Sequence, residues 1–537
     1  MRRQWLPEMG LGLAHLPGRW RWLVVAACAV AGLALLGQFL VYGHYTISLL
    51  RFPFDYDQGE GFELYDTVLQ AQGAWPYRDP QVFPFYTSIY PPVFHLLTVP
   101  LVWLFGPQLW TGRLVGFAAS LVAAGAIGWG VHRATGHKFV AALAGLAFLA
   151  SNYTFHIGPL FRQHMTMVMF ETLAIVALAQ VSGEPPGLTK RPAFWLGLLF
   201  LLAAGYTKPL SLPTIIAGLA YLFLRAPRRA ALAGVGLAAV AGALFLGINF
   251  ATSGWWYVSI VRANLNAYDT GQAISLYRQW AELHLVLIVV GAARLVYEIY
   301  GTRLSAYALW FVGAVANGIS AGKFGAGESY FVTATAAACV LSGIGLATLW
   351  RRSARWAPGL AVAVGVVIPG LYLVQARLTL HVYTTGPVYA QVARALGVSA
   401  PSGYYDSQGY TQLGPRPTRA DHEAGYEIVR LAQTLSPDKP VFSEEAAFMF
   451  RAGKPVVTNP FPQLVMYQAG LFDPAQEIAM LDAKGFGLVI LRGPPQPEPA
   501  IVGFYPPPVL AAIGRNYQLK TEIKMNGFLY RILEPKP

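Results

Sequence analysis

Long apolar runs recur through the first 375 residues of this chain of 537 residues. An apolar helix needs ~20 residues to cross the hydrocarbon core of a bilayer, and several of these runs reach that length. Hydrophobic residues make up 55% of the chain and charged residues only 12%, which excludes a soluble globular enzyme. The pattern predicts a polytopic α-helical membrane protein with about eleven transmembrane helices. They are expected near residues 22–42, 114–131, 139–151, 165–181, 193–206, 209–224, 231–250, 281–293, 304–320, 330–349 and 357–375.

The distribution of basic residues predicts the orientation of these helices. The run from Pro91 to Phe105 is apolar but short and contains three prolines, so we place it on the outer membrane surface. Of the 25 Lys and Arg residues before residue 381, 16 then fall on the cytoplasmic side and nine on the outer side, as the positive-inside rule requires. This threading predicts a cytoplasmic N-terminus, a long first outer loop (43–112) and an extracytoplasmic C-terminal region. The net charge of +13 therefore reflects membrane topology, and no nucleic-acid partner is expected.

The C-terminal region differs in composition from the membrane domain (1–383). From residue 381 onward, 14 Lys and Arg residues are nearly balanced by 13 Asp and Glu residues. Apolar runs of strand length alternate with helix-like stretches, which indicates a small extracytoplasmic α/β domain over residues 384–537. The expected strands are 440–442, 456–457 and 486–491, the expected helices are 422–435 and 474–484, and a hairpin is expected around Asn526-Gly527.

Acidic residues are concentrated in the first outer loop. A short amphipathic helix is expected to follow Asp57 and to end near Gln72. For Glu63 and Asp66 we favour the role of acidic residues at the positive end of that helix. Two interpretations stay open for Asp57, which is either a helix cap or a general base in a partly desolvated setting next to aromatic residues.

Isolated cations stand near the outer ends of the predicted spans. Each can anchor its helix at the headgroups, but together they can also bind an anionic group such as phosphate. Both interpretations stay open for Arg162 and Lys323, whereas anchoring is favoured for Arg262. The full set is Arg113, Arg162, Lys208, Arg262, Arg278 and Lys323.

Several short motifs between about residues 20 and 350 resemble the GT-C membrane glycosyltransferases. The resemblance is to members similar to dolichyl-phosphate-mannose-protein mannosyltransferases and to the lipid A aminoarabinose transferase. The motifs are Asp57-x-x-Glu60, Gly73-Ala74-Trp75-Pro76-Tyr77-Arg78-Asp79, Tyr90-Pro91-Pro92, Gly112-Arg113-Leu114, Ala204-Gly205-Tyr206-Thr207-Lys208-Pro209 and Gly322-Lys323-Phe324-Gly325 followed by Ser329-Tyr330-Phe331.

This resemblance implies sugar transfer from a polyprenyl-phosphate donor to a lipid, glycan or protein acceptor at the outer face of a bacterial plasma membrane. It implies that a carboxylate, Asp57 or Glu60, activates the acceptor hydroxyl. From their positions we assign donor-phosphate binding to Arg113, Arg162, Lys208 and Lys323, and acceptor or sugar contacts to Tyr77, Asp79, Tyr90, His164 and Tyr330. No cofactor and no metal are expected. His156 and His164 are the residues that we considered for a divalent metal, but no carboxylate accompanies them at ligand spacing.

The alternative is a transporter or flippase of a lipid-linked or anionic substrate. Common transporter folds contain internal repeats and broken helices at mid-bilayer, and we find no repeat in this sequence. Glu171 is the clearest deep charge, and we expect it to make a structural polar contact. An enzyme is expected to have a cavity lined by Asp57 and the isolated cations.

Overall fold

The computed structural model describes residues 18–181, 191–383, 386–398, 416–493 and 504–537. The predicted domain boundary at residue 384 lies outside the described residues.

The described membrane part is helical, and a helix coincides with each of the predicted spans. Its α-helices in chain order are α1 (Gly18–Leu50), α2 (Glu60–Ala71), α3 (Val93–Phe105), α4 (Leu109–Thr135), α5 (Lys138–Leu149), α6 (Asn152–Ile157), α7 (His164–Ala179), α8 (Pro192–Thr207), α9 (Leu212–Arg225), α10 (Pro227–Ala251), α11 (Trp255–Ile260), α12 (Thr270–Leu283), α13 (Leu285–Gly301), α14 (Ala306–Asn317), α15 (Val332–Ser353) and α16 (Pro358–Leu378). Short 3₁₀ segments at Pro209–Ser211, Arg262–Asn264, Gly318–Gly322 and Glu328–Phe331 join some of them.

Five of the described helices, α1, α4, α10, α15 and α16, are long and apolar enough to cross a membrane unaided. The pair α12 and α13, bent by 91°, adds a sixth if it counts as one span. The remaining helices at predicted spans are shorter, so the number of eleven crossings stays a prediction.

The helices sort into central and peripheral positions. The central helix α15 packs against α4, α5, α13 and α14. A Cβ atom at Gly343 would lie only 2.9 Å from a methyl group of Val131, so glycine allows this close approach. Helix α10 instead exposes large apolar side chains such as Leu232 and Phe250. Such a surface is stable against lipid rather than water.

The first outer loop forms two short helices that pack on each other. Helix α2 confirms the helix expected after Asp57, and α3 corresponds to the segment expected on the membrane surface. The Trp103 indole on α3 donates a hydrogen bond of 2.9 Å to the carbonyl of Ala71 at the end of α2. With 13 residues, α3 is about 20 Å long, which is shorter than the hydrocarbon core.

The C-terminal region is an α/β unit, as predicted. Its elements are α17 (Tyr389–Ala395), α18 (Arg419–Gln433), β1 (Val441–Ser443), α19 (Ala447–Ala452), α20 (Pro460–Gln468), α21 (Ala475–Asp482), β2 (Leu488–Gly493), α22 (Pro507–Asn516), β3 (Tyr517–Met525) and β4 (Phe528–Pro535). The strand order is β1-β2-β4-β3, with β1 parallel to β2 and the other pairs antiparallel. Asn526 and Gly527, with φ of 49° and 78°, form the expected hairpin turn.

One predicted strand of this domain is wrong. Residues 456–457 do not join the sheet, because the chain there turns toward the first outer loop and Thr458 makes an isolated parallel bridge with Phe85. Next to it, the Gln463 side-chain amide donates to the Phe85 carbonyl at 2.9 Å and that of Asn459 donates to the Thr87 carbonyl at 3.1 Å. The C-terminal domain is therefore docked on the first outer loop.

Candidate active site

A cavity of about 200 Å³ lies where the first outer loop, the outer helix ends and the C-terminal domain meet. Seven of the eleven predicted site residues line it, which places the predicted carboxylate and three of the four predicted phosphate-binding cations together. These seven are Asp57, Tyr90, Arg162, His164, Lys208, Lys323 and Tyr330.

Asp57 forms an ion pair with Arg162 at the cavity wall. Arg162 Nε lies 2.5 Å from Asp57 Oδ2, and the same guanidinium contacts the Gln58 carbonyl and lies 3.4 Å from Glu63 Oε1. Burial opposes the charge of Arg162, but Asp57 and Glu63 outweigh it and raise the pKa of the guanidinium. Gly59 between these residues has φ of 98°, and a Cβ atom there would come within 3.2 Å of the Arg162 guanidinium. The turn thus needs glycine to let Arg162 reach Asp57.

Glu60 and Arg113 do not reach the cavity, because they bind each other in the interior. Both side chains are fully buried, and Arg113 donates to the two Glu60 carboxylate oxygens at 2.7 and 2.8 Å. Glu60 also accepts from the backbone amides of Tyr56, Asp57 and Phe161. The Arg113 guanidinium also donates hydrogen bonds to the backbone carbonyls of Leu49, Phe52 and Phe54. This buried ion pair fixes the turn that carries Asp57, so we assign neither residue a role in the cavity.

Lys208 lies in an aromatic and cationic part of the cavity. Its Nζ is 2.5 Å from His164 Nε2 and 5.4 Å from the ring centroids of both Tyr90 and Tyr330. Burial, with the nearby charges of Arg162 and Lys323, lowers the pKa of Lys208 to about 7. Burial also lowers the pKa of Lys323. An anion entering here would meet Arg162 and two lysines that lack fixed acidic partners among the described ion pairs.

Tyr77 and Asp79 lie away from the cavity lining. The Tyr77 hydroxyl donates to the Tyr90 carbonyl at 2.7 Å, and its ring packs against Trp256 with centroids 4.7 Å apart. Asp79 Oδ1 accepts from the Gln81 amide at 2.9 Å, which closes a local turn. Both residues shape the first outer loop, and neither is placed to contact a substrate in the cavity.

Glu63 and Asp66 also line the cavity, although we expected them only to suit the start of a helix. Both are buried on α2, one turn apart. Burial raises the pKa of both carboxyl groups. At Glu63 the charge of Arg162 offsets part of this rise and the charge of Asp66 adds to it, whereas at Asp66 the hydrogen bonds from Ser88 and Tyr86 offset part of it. The Tyr86 and Ser88 hydroxyls donate to Asp66 at 2.6 and 2.5 Å, and the Gln163 amide donates to Glu63. Two polar networks thus hold the two carboxylates in place.

His156 and His164 are not arranged as a metal-binding pair. His156 Nδ1 lies 2.5 Å from Glu328 Oε1, a carboxylate that the sequence spacing did not indicate, whereas His164 contacts Lys208. Burial opposes the charge of Glu328, but His156 outweighs it and lowers the pKa of that carboxyl group. Deeper in the membrane, Glu171 accepts hydrogen bonds of 2.6 Å from Thr214 and from Thr333, which agrees with the structural contact that we expected.

The C-terminal domain supplies one wall of the cavity, through residues 459–462. Phe461 stacks on Phe324 with centroids 6.2 Å apart and planes at 13°. It also packs close to Gly325, where φ is 77° and a Cβ atom would lie 2.4 Å from the Phe461 ring. No local sequence pattern indicates this contact, because it joins segments more than 130 residues apart.

The arrangement combines three chemical capacities. Arg162, Lys208 and Lys323 can neutralise an anion, Asp57 can accept a proton, and aromatic rings can pack on a sugar. These capacities meet in one cavity that membrane helices and a polar domain enclose.

Comparison of structures identifies proteins with the same fold. The crystal structures of ArnT from Cupriavidus metallidurans, one bound to undecaprenyl phosphate and one in the apo state, each align with a TM-score of 0.56 at 16% identity. The alignment with the bound form covers 96% of this chain and 98% of ArnT. An oligosaccharyltransferase from Archaeoglobus fulgidus, tethered with an acceptor peptide, aligns with a TM-score of 0.47 at 11% identity over 85% of this chain and 68% of that chain.

No protein-family model and no curated protein matches the sequence. ArnT is a lipid A aminoarabinose transferase of the GT-C superfamily. The resemblance expected from the sequence motifs is thus confirmed at the level of the fold, because this chain shares the fold of ArnT.

Proposed function

We propose that this protein is a membrane glycosyltransferase that moves a sugar from a polyprenyl-phosphate-linked donor to an envelope acceptor. The observation that supports this most strongly is the meeting of Asp57 with Arg162, Lys208 and Lys323 in one cavity. A phosphate and a hydroxyl that must lose a proton are the two groups that this combination suits. ArnT, which shares the fold, was crystallised with undecaprenyl phosphate, and this favours the same class of lipid carrier here.

The reaction assigns a separate task to each part of the cavity. Asp57 takes the proton of the acceptor hydroxyl while that oxygen bonds to the anomeric carbon of the sugar. The bond between this carbon and the phosphate oxygen breaks, and the electron pair leaves with the polyprenyl phosphate. Arg162, Lys208 and Lys323 stabilise the charge that develops on this leaving group.

The pairing of Arg162 with Asp57 gives the donor a means of activating the base. In the structure the Arg162 guanidinium donates to Asp57 Oδ2 and so occupies one oxygen of the carboxylate. A donor phosphate competes for the same guanidinium, since phosphate and carboxylate suit its planar array of donors. Donor binding would then free Asp57 to accept a proton.

The remaining cavity residues are proposed to select the substrates. Tyr90, Tyr330 and His164 surround Lys208 and would contact the sugar next to the phosphate. The wall at residues 459–462 belongs to the C-terminal domain rather than to the membrane helices, so we assign it to the acceptor. The predicted topology places this cavity at the outer face of a bacterial plasma membrane, with the N-terminus in the cytoplasm.

The test is to incubate purified protein in lipid nanodiscs with synthetic polyprenyl-phosphate sugars and an envelope extract, and to follow the products by mass spectrometry. A glycosyltransferase releases free polyprenyl phosphate and adds one sugar mass to an acceptor, and Asp57→Asn abolishes both changes. Movement of an intact donor between leaflets without release of polyprenyl phosphate would instead identify a flippase. A comparison of envelope glycans from cells with wild-type protein and with Asp57→Asn would then identify the acceptor.

A further inference from the structure

His95 on α3 faces Glu63 and Asp66 on α2 with a ring nitrogen that has no hydrogen-bond partner among the described residues. The His95 side chain is fully buried, and its Nε2 lies 3.4 Å from Glu63 Oε2 and 3.9 Å from Asp66 Oδ2. The potential ligand atoms of the three residues lie within 4.8 Å of one another.

The hydrogen bonds of Thr67 indicate which nitrogen of His95 carries the proton. The Thr67 hydroxyl donates to the Glu63 carbonyl at 2.9 Å, so its oxygen is left to accept from His95 Nδ1, 3.1 Å away. Nδ1 is then protonated, and the lone pair of Nε2 points toward the two carboxylates. Histidine ligands of metals show this same arrangement, in which a hydrogen bond at one nitrogen fixes the tautomer that leaves the other free to ligate.

Three lone-pair donors that face one another in a buried site repel unless a cation lies between them or one carboxyl group keeps its proton. The two arrangements differ in whether the site retains a metal ion. An imidazolium could supply the charge, but burial without solvent disfavours it. We propose that Glu63, Asp66 and His95 bind one divalent transition-metal ion of the Zn²⁺ or Mn²⁺ type. Two carboxylate oxygens and an imidazole nitrogen suit these ions better than Mg²⁺, which prefers oxygen ligands alone.

The surroundings support both carboxylates as ligands. Tyr86 and Ser88 hold Asp66, and Gln163 holds Glu63, which matches the outer hydrogen bonds that usually orient metal ligands. A bound ion would join α2 to α3 and fix the wall of the cavity that carries Glu63, the second carboxylate near Arg162. This site requires no step of glycosyl transfer and is independent of the proposed function.

The experiment measures metal binding rather than turnover. The full-length protein is purified in detergent, treated with EDTA, loaded separately with Zn²⁺, Mn²⁺ or Mg²⁺, and desalted, and bound metal is counted by mass spectrometry. We expect about one Zn²⁺ or Mn²⁺ per chain and no retained Mg²⁺. Electron spin-echo modulation of the Mn²⁺ form should show coupling to an imidazole ¹⁴N nucleus.

Three variants complete the test. His95→Gln and Asp66→Asn should weaken metal binding at least tenfold, and His95→Gln should remove the ¹⁴N coupling. His284→Gln is the control, because both nitrogens of that buried histidine already have partners, the Ser151 hydroxyl at 2.8 Å and the Trp280 carbonyl at 3.1 Å. Melting temperatures without metal show whether each variant is folded, and Asp66→Asn preserves the shape of the side chain if His95→Gln is unstable. Wild-type protein that retains no metal, that retains Mg²⁺ alone, or whose binding survives in folded Asp66→Asn or His95→Gln would overturn the proposal.

Discussion

Arg162 Nε lies 2.5 Å from Asp57 Oδ2 at the wall of the cavity, although 105 residues separate the two along the chain. The contact depends on Gly59, whose lack of a Cβ atom leaves space for the guanidinium. The pair joins the proposed base to one of the cations proposed to bind the donor phosphate. Because the cations are proposed to bind the donor phosphate and the carboxylate to accept the proton, replacing a cation should change the donor KM, whereas replacing the carboxylate should change kcat.

Replacing Lys323 should weaken donor binding without unfolding the protein. Lys323 lines the cavity, and a charge-assisted contact to a phosphate is typically worth about 1.5–3 kcal/mol, so Lys323→Gln should raise the donor KM roughly 10- to 100-fold. Arg262→Gln is the matched control, since Arg262 lies outside this cavity. Equal donor KM values for Lys323→Gln and wild type would show that Lys323 only anchors the chain.

Donor affinity should fall as the pH rises above about 7. Burial lowers the pKa of Lys208 to about 7, so the lysine is charged below that pH and loses its proton above it, unless a bound phosphate restores the charge. Binding above pH 7 therefore takes up a proton, and the donor Kd should rise by up to about tenfold per pH unit. Arg162, whose pKa is raised, and His164, whose pKa burial keeps well below its usual value, do not titrate in this interval. Burial raises the pKa of Glu63 to about 8 and that of Asp66 to about 7, so these carboxyl groups also titrate near this interval.

The pH dependence can be assigned to Lys208 by one substitution. Lys208→Arg carries a charge at every pH between 7 and 9, so its donor Kd should stay nearly constant there. The measurement is donor binding by isothermal titration at fixed ionic strength. A slope that persists in Lys208→Arg would assign the proton to another group.

Glu60→Gln should damage folding more than chemistry. The change removes one member of a fully buried ion pair and leaves Arg113 uncompensated, which typically costs about 3–5 kcal/mol. We expect a lower melting temperature and a reduced yield of folded protein, with donor KM little changed in the folded fraction. Glu423→Gln is the control, because its pair with Arg419 is exposed and should contribute less than about 1 kcal/mol.

Phe461→Ala should affect the acceptor rather than the donor. The ring belongs to the C-terminal wall of the cavity and stacks on Phe324, so its loss opens that wall. We expect a higher acceptor KM at unchanged donor KM, measured with the acceptor identified by mass spectrometry. Leu519→Ala on the exposed face of β3 should change neither constant. An effect of Phe461→Ala on donor KM alone would place the donor sugar, not the acceptor, at this wall.

The sequence predicted those parts of the molecule that depend on local patterns. Hydropathy located the helices, and the Asn526-Gly527 pair located the hairpin turn. The isolated outer cations Arg162, Lys208 and Lys323 were identified because each stands at the end of an apolar run, and a shared membrane face brings such positions together.

The remaining features depend on contacts between distant segments. Glu60 was a candidate base until the structure placed Arg113 against it, and no local pattern indicates that ion pair. Glu63 and Asp66 suited a helix start equally well, and only the packing of α2 on α3 brings His95 to them. The segment around Val457 is apolar enough for a strand, but it pairs with the first outer loop because that surface competes with the sheet.

The most direct test of the account is the turnover of Asp57→Asn with donor and acceptor both saturating. The substitution keeps the shape of the side chain but removes its ability to accept a proton, and a positioned base typically contributes ~10²- to 10⁴-fold. We predict that kcat falls by roughly two orders of magnitude or more. Donor binding should persist at wild-type strength or better, because the substitution releases Arg162 from its carboxylate partner. Near-normal turnover in folded Asp57→Asn would contradict the proposed mechanism.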